Sequence, residues 1–296
     1  MRALVTGATG FLGRRLLNSL TQPVVLSRDP ARARRSLGEA VQAFGWEPEA
    51  GPPPPEAFRG VEAVFHLAGE PVGEGRWTAA KKERMRQSRV RGTHHLVTAL
   101  ESLRERPRVL VSASAVGYYG DRGDEVLEET SGPGSDFLAA LAREWEAEAF
   151  RASSLGVRVV TTRTGVVLGP GGGALAKMLT PFKLGLGGRL GSGRQWMPWI
   201  HLDDVVGLLL HAAQKNELAG PMNTVSPTPV TNQEFTRTLA SVLKRPAIFP
   251  VPVLALRLAF GEMSDVLLAS QRVMPRVAEK TGYSFRYPAL AAALQW

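Results

Sequence analysis

Between an apolar run and an amphipathic one, near the start of the chain, stands TGATGFLG (residues 6–13). RALVTG (2–7) has the composition of a strand, and FLGRRLLNSL (11–20) that of a helix with Leu16, Leu17 and Leu20 facing inward. Gly7, Gly10 and Gly13 are spaced G-x-x-G-x-x-G across the junction. Gly7 permits the tight turn. Gly10 lets the backbone approach a pyrophosphate, which then sits at the positive end of the helix. Gly13 lets helix and strand pack closely. Such a strand–turn–helix predicts an α/β fold that binds a dinucleotide.

The rest of the chain agrees with that class. PVVLSR (23–28), VEAVFHLAG (61–69), PRVLVSAS (107–114) and VRVVTTRTG (157–165) are further β-rich runs, with long helices expected at 77–100 and 136–155. Nearly continuous Val and Leu runs joined by helical crossovers predict a parallel sheet covered on both faces. WEPEAGPPPPEAF (46–58) is a Pro-rich loop, because the strand–helix pattern resumes after it. Beyond residue 168 the texture becomes Gly-rich, with one short helical patch. A helix capped by Asp203 or Asp204 follows, then a capping box at Thr231 and Glu234. GYSFRYP (282–288) has a strand-like composition. The expected division is a Rossmann-like, doubly wound parallel sheet over 1–168, with 200–215 returning to it. A smaller lobe of 169–199 and 216–296 would cover a substrate.

The 296 residues contain no cysteine, which removes disulfides and thiol chemistry. No apolar run has the ~20 residues that a membrane span needs, and no signal peptide is visible, so a cytoplasmic protein is expected. No metal site is assigned. The formal charge is +9, concentrated in RDPARARR (28–35) and RWTAAKKERMRQSRVR (76–91). The second run is either a solvated helix face or an anion-binding one. No nucleic-acid motif accompanies it, so a nucleic-acid partner is not expected.

A carboxylate at the end of the second strand would bind a ribose 2′-hydroxyl and repel a 2′-phosphate. Here Ser27 and Arg28 stand in its place, Asp29 is one position late, and Arg32, Arg34 and Arg35 follow. Guanidinium groups grip phosphate, so NADP(H) is expected over NAD.

TGATGFLG, HLAGEPV, SASAVGYYG, DFLAALAREWE, RTGVVLGPGGGAL, PFKLGLGGRLGSGRQWMPWIHLDDVV and QRVMPRVAEKTGYSFRYP together resemble the epimerase-family proteins of the short-chain dehydrogenase/reductase superfamily. These are atypical relatives of the extended, nucleotide-sugar-epimerase branch. The resemblance runs almost from end to end. It implies a Rossmann domain, NADP(H) and a lobe over a small-molecule substrate, without naming that substrate. The cofactor residues expected on both grounds are Gly7, Thr9, Gly10, Phe11, Leu12, Gly13, Ser27, Arg28, Arg32, Leu67, Ala68, Gly69 and Ser112.

In the extended relatives a Ser orients the substrate oxygen and a Tyr on the next helix moves the proton. A Lys one helical turn later stabilises the phenolate, since an isolated Tyr has a pKa near 10. Ser114 matches the Ser. Of the four tyrosines (118, 119, 283 and 287) none has Lys at the fourth position after it. The corresponding helix has Phe137 or Leu138 where Tyr belongs, and Leu141 or Ala142 where Lys belongs. Two readings follow. In one, the chemistry is rebuilt around Ser114 with Tyr118 or Tyr119 as acid. Arg122, Arg163 or Arg194 would supply charge, and Asp136 or His201 a base, although Asp136 also fits a helix cap. In the other, the protein binds NADP(H) without turnover, as a sensor or interaction protein. GRQWMPW (193–199) favours a ligand-lined lobe, so Arg163, Arg194, Trp196, Trp199 and His201 are the substrate-side candidates. The relatives commonly dimerise through the helices at 77–100 and 136–155. One is basic and the other carries Glu144, Glu146 and Glu148, which points to a homodimer.

Overall fold

The computed structural model describes residues 1–38 and 41–295. Its first half alternates strand and helix. β1 (Ala3–Thr6), α1 (Phe11–Leu17), β2 (Val24–Ser27), α2 (Pro30–Leu37), β3 (Gln42–Gly45) and β4 (Ala63–His66) lead to α3 (Ala79–Arg86), a π-helical turn (Gln87–Arg91) and α4 (Gly92–Ser102). β5 (Val109–Ala115) runs into a 3-10 turn (Val116–Tyr119). β6 (Val126–Leu127), α5 (Phe137–Phe150) and β7 (Arg158–Thr164) follow. The second half is less regular: β8 (Val166–Leu168), α6 (Gly173–Lys183), β9 (Trp196–Met197), β10 (Trp199–His201), α7 (Leu202–Gln214), β11 (Gly220–Thr224), β12 (Val230–Thr231), α8 (Asn232–Leu243), α9 (Val253–Phe260), α10 (Met263–Leu268), β13 (Arg272–Val273), α11 (Arg276–Lys280) and α12 (Leu290–Ala293).

Seven strands form one parallel sheet in the order β11-β7-β5-β4-β1-β2-β3. Side chains alternate between its faces. Ala3, Val5 and Val111 pack with Leu208 and Leu209 of α7 on one face. Leu4 and Leu110 pack with Leu96, Leu100 and Ala149 of α4 and α5 on the other. Both faces are thus buried, which is why the strands lack polar alternation. A separate core of Leu168, Leu175, Phe182, Trp199, Phe235, Leu239 and Leu290 holds the second lobe. Among the described residues no helix is long and apolar enough to cross a membrane.

Several local expectations change. The helix expected at 77–100 is interrupted by the π-helical turn, and α5 closes in a 3-10 turn over 151–155. Residues 216–296 do not all belong to the second lobe: β11 completes the main sheet beside β7, and Ala278 of α11 joins the main core. Residues 282–288 form no strand. Their backbone is instead held by Asp204, wholly buried, which accepts from Arg286 N at 2.8 Å, Tyr287 N at 2.9 Å and the Tyr283 hydroxyl at 3.1 Å. Asp204 is therefore not the cap of α7, and nor is Asp203, which pairs with Arg15 at 2.7 Å. His201 caps that helix, its Nδ1 accepting from Asp203 N. The capping box at Thr231 and Glu234 is present, and Asp136 caps α5. The three glutamates that suggested a dimer have partners within the chain: Glu144 meets Arg86, Glu146 meets Arg163 and Glu148 meets Arg151.

One buried side-chain chain ties β1 to β4 and α4. Thr6 Oγ1 accepts from Leu67 N and Ala68 N, both at 3.1 Å. With both lone pairs engaged, its proton goes to His66 Nδ1 at 2.8 Å, and His66 Nε2–H then donates to Thr93 Oγ1 at 2.9 Å. Burial lowers the His66 pKa to about 4, so the ring is neutral.

Two predictions follow from this packing. Asp204→Ala removes the carboxylate acceptor of three part-buried hydrogen bonds, leaving Tyr283 only the Asp204 carbonyl, and should lower the unfolding free energy in a denaturant titration by about 3 kcal/mol. His66 has a folded pKa below its unfolded value near 6.5. It therefore binds its proton mainly in the unfolded state, and stability should fall as pH drops from about 6.5 to 4. The share due to His66 is roughly 3 kcal/mol. A His66→Gln variant titrated over the same range should show a shallower fall; an unchanged slope would count against it.

Candidate functional site

The loop after β1 is as close-packed as a strand-to-helix phosphate loop requires. Gly7 has φ +67°, and a Cβ there would lie 2.8 Å from the Leu67 carbonyl carbon. A Cβ on Gly13 would lie 2.4 Å from the Gly7 oxygen. No larger residue fits at either position without moving backbone. Thr9 and Gly10 are exposed, and the Thr9 carbonyl accepts from Arg14 Nε at 2.9 Å. Leu12 packs on the sheet core. Phe11 turns toward the second lobe, where Gly172 and Gly173 lie against its ring.

On one side of this loop lies the end of β2. Ser27 Oγ bonds the Asp29 backbone, and the Asp29 carboxylate accepts from Arg32 N at 2.8 Å as the cap of α2. That acid is occupied by its own helix, while Arg28 and Arg32 are exposed beside it. On the other side lie Leu67 and Ala68, whose N–H groups are held by Thr6, and the exposed Gly69.

β5 carries Ser112 and Ser114 toward α5. Ser112 is buried inside the sheet. Ser114 Oγ donates to Glu146 Oε1 at 2.6 Å. Glu146 is clamped by Arg163 from β7, Nε to Oε1 and Nη2 to Oε2, each at 2.8 Å. Both side chains are almost wholly buried. Against the lowering effect of burial, the Glu146 carboxylate holds the Arg163 pKa above its usual value. The guanidinium lies 3.4 Å from the centre of the Tyr118 ring and donates to the Tyr119 hydroxyl and the Glu129 carbonyl, both at 3.1 Å.

The two tyrosines are not equivalent. Tyr119 is wholly buried; its hydroxyl donates to Asn223 Oδ1 at 2.6 Å, and burial raises its pKa to about 12. A phenol so placed is a structural hydrogen-bonding group and not an acid at neutral pH. Tyr118 is half-buried, and its hydroxyl makes no hydrogen bond among the described residues. Glu129 is buried and accepts from Asn223 N and Val277 N; burial raises its pKa. On α5, Leu141 and Ala142 are buried, and Leu138 packs against Gly117. No cation stands at their positions.

The other candidates separate. Arg194 is exposed, and Arg122 pairs with Glu125 at 2.6 Å. Trp196 donates to Asp124 Oδ1 at 2.8 Å, with the Arg272 guanidinium 4.6 Å from its ring centre. Trp199 is wholly buried in the second core and donates to the Thr228 carbonyl, so it is not available to line an open cleft. His201 caps α7 and stacks at 3.8 Å on Tyr287; burial lowers its pKa. The lobes are clasped at the N-terminal end of α3, where Arg76 bonds the Leu258 carbonyl and Lys82 pairs with Glu262; beside them, within the first lobe, Trp77 meets Phe137 at 5.7 Å.

Sequence reasoning missed Glu146, Asn223 and Glu129. A signal existed for the first: a single carboxylate one turn beyond Ala142, on the stripe that the helix buries. Asn223 and Glu129 come together only through the late strand β11 and carry no local signature.

A model described as the NAD dependent epimerase/dehydratase family matches residues 3–225, and a domain of unknown function, DUF1731, matches 251–296. An epimerase family protein of Mycobacterium tuberculosis, MT2273, is 39% identical over 296 residues, covering 98% of this chain and 95% of the relative. The chloroplastic SDR39U1 homolog of Arabidopsis thaliana is 41% identical, covering 100% and 86%. Among solved structures, human epimerase family protein SDR39U1 (isoform 2) with NADPH superposes with a TM-score of 0.89. It is 36% identical, with 100% of this chain and 98% of that one covered. Matched by its model from the first strand to the last strand of the main sheet, the chain belongs to the NAD dependent epimerase/dehydratase family.

Proposed function

We propose that this chain binds NADP(H) along the C-terminal ends of its strands and uses it for hydride transfer on a small carbonyl- or hydroxyl-bearing substrate. The similar human protein was crystallised with NADPH, and the residues here fit that group. The Gly7–Gly13 loop packs so tightly that a Cβ at Gly7 or Gly13 would strike backbone, and it leads straight into the start of α1. The end of β2 offers exposed Arg28 and Arg32 with its one acid turned away. Bound NADP(H) supplies or accepts the hydride; the protein must manage the proton.

The observation that carries the catalytic reading is the Ser114–Glu146–Arg163 chain at the end of β5. Ser114 gives its own proton to Glu146, so it offers only lone pairs to a ligand. It can accept from a substrate hydroxyl and orient it, while Glu146 stays paired with Arg163. Arg163 fixes that carboxylate and backs the ring of Tyr118, which is left as the hydroxyl able to donate to a carbonyl. One observation favours the alternative of an NADP(H) binder without turnover: Leu141 and Ala142 leave α5 with no cation to replace the missing Lys.

The cofactor reading predicts that NADPH binds at least tenfold more tightly than NADH, about 1.4 kcal/mol, and that Arg28→Ala erases most of that gap. Equal affinities in the unmodified protein would refute it.

The catalytic reading predicts NADPH consumption with some member of a carbonyl and enone panel. Tyr118→Phe should cut that turnover about 100-fold or more, as loss of a general acid does. Tyr119→Phe should leave turnover near normal but lower stability by about 1–3 kcal/mol, since it removes the buried hydroxyl that accepts from Arg163 and donates to Asn223. Tight NADPH binding with no consumption across the panel would favour the binder.

A further inference from the structure

Sheet order decides which way a dinucleotide lies on this fold. β1, with the glycine loop, has β2 on one side and β4 and then β5 on the other. With the pyrophosphate on the loop and the adenosine at Ser27 and Arg28, the nicotinamide half extends over the ends of β4 and β5. That placement rests on the cofactor reading above.

At that end a cation comes from an unexpected element. Arg89 belongs to the π-helical turn between α3 and α4, a distortion often found at functional sites. Its guanidinium lies against Gly69: a Cβ built there would be 3.0 Å from Cζ, 3.2 Å from Nη2 and 3.4 Å from Nε. Cζ also lies 5.1 Å from the Trp145 ring centre. Trp145 is one helical turn beyond Leu141, where α5 lacks its Lys. Arg89 thus bridges the loop after β4 and the helix face that the missing Lys would occupy.

Its bonding is incomplete. Nη1 donates to the Glu70 carbonyl at 2.9 Å and the Met85 carbonyl at 3.4 Å. Among the described residues, Nε and Nη2 have no hydrogen-bond partner, and no carboxylate comes within ion-pair distance. Burial lowers its pKa to about 10, which leaves the side chain charged at neutral pH. A guanidinium has donors only, so its complement is a set of oxygen acceptors.

We infer that Arg89 is a cofactor-binding residue, whose free Nε and Nη2 hold hydroxyl oxygens of the nicotinamide ribose in place of the absent lysine. The side chain stays fixed by Trp145 and the Glu70 carbonyl, so little rotamer freedom is lost when the ligand arrives.

The test is calorimetric binding of NADPH and of adenosine 2′,5′-bisphosphate, which lacks the nicotinamide half, to the full chain and to Arg89→Met and Arg89→Lys. The expected result is at least a tenfold loss of NADPH affinity in Arg89→Met, with bisphosphate binding within twofold of normal. Arg89→Lys should recover most of the NADPH affinity. Unchanged NADPH binding in Arg89→Met overturns the inference. So does an equal loss of both ligands in both variants, which would make Arg89 a support for the 67–70 loop. An unmodified protein that binds neither ligand would overturn the cofactor reading itself, and this inference with it.

Discussion

Glu146 and Arg163 face each other where neither could stay charged alone. Removing either partner of so buried a pair leaves an unpaired charge, at a cost of about 3–5 kcal/mol. The surrounding centre is built on that pairing. Ser114 donates to the carboxylate, the Tyr118 ring centre lies 3.4 Å from the guanidinium, and the Tyr119 hydroxyl accepts from Arg163 Nη1 and donates to Asn223. The pair spans α5 and β7, so it also fixes how that helix sits over the end of the sheet.

Buried carboxylates then fasten the C-terminal segment to this frame. Glu129 accepts from Asn223 N on β11 and Val277 N on α11, and Asp204 accepts from Arg286 N and Tyr287 N. In each case a side chain satisfies backbone donors that no strand or helix would pair. The segment after residue 274 is thus positioned by two acids in the body of the protein more than by its own secondary structure.

This explains which parts of the fold were legible in the sequence. The glycine loop, the buried strands, the Asp136 cap and the Thr231–Glu234 box are local patterns, in which the residues that interact are close in the chain. Residues 282–288 have a strand's composition, but their partner is an aspartate 79 to 83 residues away, and nothing nearby announces it. Asp203 and Asp204 have the right residue type for a cap. The cap went to His201 because one aspartate was drawn to Arg15 and the other to the C-terminal backbone. Ser114 could be read from its strand. Its polarity could not, because that depends on a carboxylate 32 residues further on.

The cations of the site divide accordingly. Arg163 has its fork on Glu146 and both Nη1 hydrogens on Tyr119 and Glu129, so four of its five N–H groups are engaged inside the protein. Its bonds set the polarity of the groups around it. A Ser that donates into a carboxylate cannot polarise a carbonyl, so Ser114 suits the alcohol side of a redox pair. Tyr118 carries the one hydroxyl of this cluster without a partner among the described residues, which is why the proposed reading makes it the donor to a carbonyl. Where the usual centre places Tyr and Lys on one helix, here Tyr118 stands on the turn after β5 and Arg163 on β7. Their contact therefore depends on the pairing of β5 with β7, the longest register in the sheet, Val109 to Ala115 against Arg158 to Thr164.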